Sequence, residues 1–143
     1  MAGHYVSRTS GETYDLGVVS MRVLVEEEAG GAFGQAEFRG AEGPWTIPHI
    51  HERTSESFFV LDGVFDFVCD GQPVTAERGD YILIPVGSSH MITARPGGGT
   101  LLAIVAPAGL QEMFKAISRL PADSLRDPAA RREIAKDFDS TPV

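Results

Sequence analysis

The run "ESFFVLDGVFDFVCDG", residues 56–71, constrains the fold more than any other stretch of the chain. It consists of two consecutive blocks rich in aromatic and β-branched residues, and each block closes in Asp-Gly. Glycine accepts the positive φ that a tight hairpin requires, so Asp62-Gly63 and Asp70-Gly71 read as hairpin turns. The rest of the chain is punctuated in the same way. Its 16 glycines and 9 prolines cut it into short segments, as a many-stranded β protein demands. Strands are predicted over 21–27, 32–39, 45–51, 56–63, 64–71, 72–77, 80–85, 90–95 and 100–106. In 32–39, Ala32, Gly34, Ala36 and Phe38 share one face. Pro48 marks 45–51 as an edge or irregular strand. Strands at this spacing predict a sandwich or barrel.

After residue 106 the apolar period changes. Leu110, Met113, Phe114, Ile117 and Leu120 recur at helical spacing, a stripe expected to pack on the outside of the barrel, and Pro121 ends that helix. A second helix starts at Asp127-Pro128, an N-cap followed by proline at the first helical position. Its apolar positions Ala130, Ile134 and Phe138 are sparse, which places it on the surface. The 143 residues suit one domain, 1–143, with the barrel over about 16–106 and a helical segment over about 108–139.

The net charge of −8 disfavours a phosphate backbone as partner, so nucleic acid is not expected. No apolar run is long enough to span a membrane, and the opening residues lack an apolar signal core. The single cysteine, Cys69, allows no intrachain disulfide and reads as a small core residue, in keeping with a reducing, cytoplasmic setting. His4 reads as exposed, and Glu26-Glu27-Glu28 as a solvated strand end.

Two of the four histidines stand in "PHIHERTSE". Strand alternation points His49 and His51 to one face. Taken alone, such a pair is an ordinary outcome of alternation. Glu56 lies five positions beyond His51, on the wrong parity for a continuous strand. The polar, turn-prone "RTS" at 53–55 offers a way to reset that parity. A fourth candidate, His90, opens a strand after the turn "PVGSS". Three imidazoles and a carboxylate form a mixed N/O set suited to Fe, Mn, Co, Ni, Cu or Zn. An octahedral ion in such a set keeps two positions open, the arrangement of a catalytic site and not of a closed structural one. Phe58 and Ile92 share strand parity with Glu56 and His90 and are expected to face inward. Trp45 and Phe38 are further candidates for a pocket wall.

The spacing of these residues resembles the cupin superfamily. Gly43, His49, His51, Glu56 and Gly63 fit the first cupin motif, G-x5-H-x-H-x4-E-x6-G, at every fixed position. Gly79, Pro85, Gly87 and His90 fit the second, G-x5-P-x-G-x2-H-x3-N, whose final Asn is Ala94 here. That Asn is not a ligand, so the departure touches a local hydrogen bond and not the metal set. The 15 residues between Gly63 and Gly79 are a usual inter-motif length. The flanks "VLVEEEAGGAFGQAEF" and "APAGLQEMFKAI" look like the quercetinase-like subgroup of single-domain cupins.

The resemblance implies an all-β, double-stranded β-helix (jelly-roll) barrel with one or two C-terminal helices. It implies one divalent transition metal ion held by His49, His51, Glu56 and His90, and a homodimer paired through the outer sheet or by exchange of residues 1–20. It implies a metal-dependent enzyme, a dioxygenase acting on an aromatic or enolisable small molecule, with Glu56 as the base and Phe58 and Ile92 against the substrate. A non-redox cupin enzyme (polyketide cyclase, isomerase, epimerase or decarboxylase) would use the same site. A small-molecule sensor module ranks below both, because no DNA-binding partner segment accompanies the motif.

Overall fold

The computed structural model describes residues 3–26 and 31–143. Glu27, the last residue of the predicted 21–27 strand, and Glu28, the end of the acidic run, lie outside the described residues. Ten strands run in chain order: β1 (Thr13–Asp15), β2 (Val19–Val25), β3 (Gly34–Gly40), β4 (Gly43–Pro44), β5 (His49–Ile50), β6 (Ser55–Cys69), β7 (Gln72–Glu77), β8 (Tyr81–Ile84), β9 (Ser89–Ala106) and β10 (Thr141–Pro142). Two helices, α1 (Leu110–Ser118) and α2 (Pro128–Ala135), lie between β9 and β10. Every pairing is antiparallel, and one path runs β1-β2-β3-β9-β5-β10. From β9 the sheet also continues through β6 to β7 and β8. This is an all-β double-stranded β-helix, a jelly-roll barrel with two helices.

Asp70-Gly71 forms the expected hairpin. Asp70 (φ 48°) and Gly71 (φ 79°) both take positive φ and join Cys69 to its partner Gln72. Asp62-Gly63 does not. β6 passes straight through it, so the predicted strands 56–63 and 64–71 are one strand. Likewise 90–95 and 100–106 are one strand, β9, which pairs with β6 along its length. The ladder between them shifts register at Val60/Asp62 and at Gly63/Phe65. Gly63 (φ 84°) is therefore the residue of a β-bulge, a feature that needs positive φ just as a hairpin does.

The bulge swaps which parity faces the core. Along β6, Glu56, Phe58 and Val60 are buried before it, and Phe65 and Phe67 after it. Along β9, His90, Ile92 and Ala94 are buried, then Leu101, Ala103 and Val105. Both strands change phase at one corner, where Gly63 pairs with Gly99. A Cβ on Gly63 would lie 2.3 Å from the Gly98 carbonyl oxygen, and one on Gly99 2.5 Å from that of Asp62. The two backbones meet too closely for any side chain.

The core is one cluster of aromatic and aliphatic side chains. Trp45 and Phe65 meet edge to face at 4.9 Å, and Phe65, Phe67, Val60, Met21 and Leu101 are fully buried. Ala94, which stands where the motif has Asn, is buried opposite Gly43. His4 is exposed, with its Nε2 2.6 Å from the Leu24 carbonyl oxygen, and Cys69 is half-buried at the core margin. Residues 13–15 of the N-terminal arm pair with β2 of the same chain. No helix among the described residues is long and apolar enough to cross a membrane.

The helical segment departs from expectation in one respect. The α1 stripe does not pack on the barrel's outer wall. Met113, Phe114 and Ile117 line the same cavity as His49 and Glu56, and Phe114 meets Phe38 edge to face at 5.2 Å. The reason is that the stripe has an apolar partner there: Met113 and Ile117 join the buried core cluster that contains Phe38 and Trp45. Asp127 caps α2 as its sequence predicts, its Oδ1 accepting from the Ala129 N–H at 3.0 Å.

Candidate metal centre

Four side chains from three strands and a loop converge inside the barrel. His49 opens β5 and pairs across the ladder with His90 at the start of β9. His51 follows β5, in the loop that leads to β6. Glu52 and Arg53 bend the chain there, so β6 begins at Ser55 and turns Glu56 inward. The predicted parity reset is thus made by the residues at 52–54. His90 is delivered by the turn at Pro85–Ser88, where Gly87 takes φ 85° and donates its N–H to the His51 carbonyl at 2.8 Å. That bond ties the loop bearing one imidazole to the turn preceding another.

One ligand-capable atom from each of His49, His51, Glu56 and His90 lies within 4.8 Å of the others. His51, Glu56 and His90 are all at most 4% exposed, and His49 is 9% exposed. The imidazole rings are 4.1–5.1 Å apart, centre to centre. Each Nδ1 faces a backbone carbonyl: His49 to Ile47 at 2.7 Å, His51 to Asp139 at 2.6 Å, His90 to Ser88 at 3.3 Å. A carbonyl can only accept, so each Nδ1 carries a proton and each Nε2 points inward, where its lone pair can be offered to a cation.

Glu56 Oε2 is 3.2 Å from His51 Nε2 and 3.3 Å from His90 Nε2. His90 Nε2 is nonetheless a buried polar atom without a properly directed hydrogen bond, and a cation at the centre would satisfy it. The electrostatics point the same way. Burial alone would raise the Glu56 pKa, but the His51 and His90 contacts outweigh it and pull the group down to about 2. Burial and the neighbouring His90 push His49 down to about 4, so it stays a neutral donor. Burial opposes the charge on His51, yet Glu56 and Asp139 outweigh it and raise its pKa. The set offers three imidazole nitrogens and an ionised carboxylate, which suits a first-row divalent ion.

The centre opens onto a cavity of about 470 Å³. His49 and Glu56 stand in its wall with Phe38, Trp45, Phe58 and Ile92, so all four of the candidate pocket residues reach it. Sequence reasoning missed Asp139. Its carbonyl accepts a hydrogen bond from His51 Nδ1–H, and its carboxylate accepts from the N–H groups of Glu52 and Arg53 at 2.8 and 2.9 Å. Beyond it, β10 pairs with β5, placing Thr141 opposite Ile50 and Pro142 opposite His49. The only sequence signal for this contact would have been a β pairing of two residues, one of them proline.

Residues 38–106 match the family model described as "Cupin domain", so this stretch of the chain is a cupin domain. It is similar to quercetin 2,3-dioxygenase of Bacillus subtilis, at 22% identity over 95 residues. That match covers 66% of this chain but only 28% of the relative's length. Among solved structures, KdgF from Halomonas sp. superposes with a TM-score of 0.70 at 16% identity, over 78% of this chain and 99% of that one. An RmlC-like cupin from Shewanella frigidimarina gives 0.66 at 22% identity, over 78% and 96%. Pac13, a nucleoside dehydratase from Streptomyces, gives 0.64 at 15% identity, over 78% and 88%. These likenesses establish the fold. The relatives include enzymes of more than one reaction type.

Proposed function

We propose that this cupin is a metal-dependent enzyme acting on a small aromatic or enolisable molecule, as a dioxygenase similar to the quercetinase-like cupins. The observation that carries this reading is the convergence of three imidazole Nε2 atoms and one buried carboxylate at the wall of an apolar cavity. His49, His51, Glu56 and His90 would hold one divalent transition metal ion. Such an ion supplies Lewis acidity and, if redox-active, electron exchange with dioxygen. The chain's own residues do the rest. Phe58, Ile92, Trp45 and Phe38 exclude water and orient a flat apolar substrate. Glu56 is the carboxylate placed to take a proton from a phenol or enol at the cavity wall. The contacts that hold its proton affinity low are to His51 and His90 Nε2, the atoms that would turn to an ion, while burial acts in the opposite direction.

The similarity to the nucleoside dehydratase supports a second reading, a non-redox reaction (cyclisation, isomerisation or decarboxylation) at the same residues. Metal analysis of chelator-free protein, joined to an oxygen-electrode screen of flavonols and β-dicarbonyl compounds, separates the two. One equivalent of metal with oxygen uptake is the expected result. Turnover without oxygen uptake selects the non-redox reaction, and failure to take up metal after reconstitution overturns both. We further infer a homodimer in the cytoplasm. An exposed apolar row, Phe59, Tyr81, Leu83 and Ile104, lies on neighbouring positions of β6, β8 and β9 and supports pairing through the outer sheet. Sedimentation at micromolar concentration tests it.

A further inference from the structure

Every carboxylate and imidazole at the metal centre comes from the barrel, yet the cavity has a second polar wall that the proposed chemistry leaves unused. Pro128, Arg131, Arg132 and Ala135 recur at helical spacing, so α2 turns one face to the cavity, and Arg126 joins them from the preceding loop. Three of the chain's 12 basic residues therefore line one cavity of a protein with net charge −8. Glu42 is the one carboxylate in the lining apart from Glu56.

Arg131 is the informative member. It is half-buried, and its Nη1 donates to the carbonyls of Leu16 and Leu125, both at 2.8 Å. Those bonds fix the guanidinium plane. Its Nε and Nη2, the edge that grips an oxyanion two-fold, donate to no acceptor among the described residues. Nor does any carboxylate among the described residues form an ion pair with Arg126, Arg131 or Arg132. The contrast is Lys115 on α1. It is also largely buried, but it sits between Glu26 at 2.6 Å and Glu112 at 3.1 Å. A partly desolvated cation on an apolar wall is costly unless an anion joins it.

We propose that the cavity takes a small molecule with an apolar body and one oxyanion, a carboxylate or a phosphate monoester. Arg131, with Arg126 and Arg132, grips the oxyanion, and the apolar body lies along Phe38, Trp45 and Phe58 toward His49 and Glu56. This narrows the substrate class of the reaction proposed above and rests on the cavity being the substrate site.

The test is calorimetric titration of the metal-loaded protein with three probes: 4-phenylbutyrate, its neutral amide and 2-phenylethyl phosphate. At least one anion is expected to bind about tenfold or more tightly than the amide, as a charge-assisted hydrogen bond requires. The tighter of the two anions names the headgroup. Arg131→Gln should erase the preference. Because Arg131 also holds two carbonyls, the exposed double variant Arg126→Gln/Arg132→Gln serves as the variant that keeps the fold, with an expected loss of about threefold or more in anion affinity. Equal affinity for amide and anions overturns the proposal, as does a preference that survives in both variants. So does a failure of both anions to bind at millimolar concentration. Repeating the titration after metal removal keeps the two readings apart. A preference that persists belongs to the arginines whatever the metal does. One that vanishes belongs to the metal, which sinks the arginine assignment and leaves the metal centre standing.

Discussion

The barrel strands and the segment that follows them build the two sides of one cavity by different means. On the barrel side, backbone ladders fix positions. His49 and His90 face each other across β5 and β9, and Glu56 lies in a strand paired on both edges, to β8 and β9. On the other side, α1, α2 and β10 are joined to the barrel by few backbone pairs. They act through side chains and single contacts: Phe114 on Phe38, Arg131 on two carbonyls, Asp139 on His51 and its loop. The difference teaches a division of labour. The ladder side holds the donor atoms, where a displacement of an ångström matters, and the helical side shapes what may reach them. His51 belongs to both through its ring, which Asp139 aims, and His49 through its backbone, which lies opposite Pro142 of β10.

Perturbing each side separately tests that division. The largest effect is expected from His49→Ala or His90→Ala. Metal content after gel filtration should drop to roughly a tenth of an equivalent or less, because binding needs the whole set. A variant that keeps one equivalent would refute the ligand assignment. Next, Gly63→Ala should damage the ladder itself. The added methyl meets backbone at 2.3 Å and the residue sits at φ 84°, so a loss of about 3 kcal/mol is expected, a fall of roughly 10 °C in the thermal midpoint. Asp139→Ala probes the crossing point at His51. It removes two accepted N–H bonds and frees the His51 loop, so metal affinity in competition with a chelator should weaken about tenfold while the barrel's far-ultraviolet dichroism is retained. Unchanged metal affinity would place His51 wholly on the barrel side. The smallest effect falls to Asp127→Ala, which removes the α2 cap for about 1 kcal/mol. It should leave metal content intact, and a loss of metal there would erase the division altogether.

The strand pattern was legible because alternation and glycine punctuation are local. The proximity of His49, His51 and Glu56 was legible for the same reason, and His90 only through its spacing from Gly79, Pro85 and Gly87. The misreading at Asp62-Gly63 has a definite cause. A hairpin and a bulge both demand positive φ, and nothing within eight residues tells them apart; the partner strand β9 decides. What escaped was long-range. Asp139 acts on His51 across 88 residues, and its own neighbourhood carries no β pattern. The surface position of α2 follows from its sparse apolar positions, and no residue of it is buried; what the pattern does not reveal is that the face it turns to the cavity carries charge.

The glycine corner carries one more consequence, for how this chain can change its length. The loop before α2 connects elements whose inward faces are set elsewhere. At the corner, a single inserted or deleted residue on either strand would reverse everything beyond it. Lengthening β9 by one residue between Ala94 and Gly99 would leave Leu101 pointing in only by turning Ile92 and His90 out. Tolerated insertions and deletions in relatives should therefore avoid 61–64 and 95–99, or occur there as matched pairs on both strands.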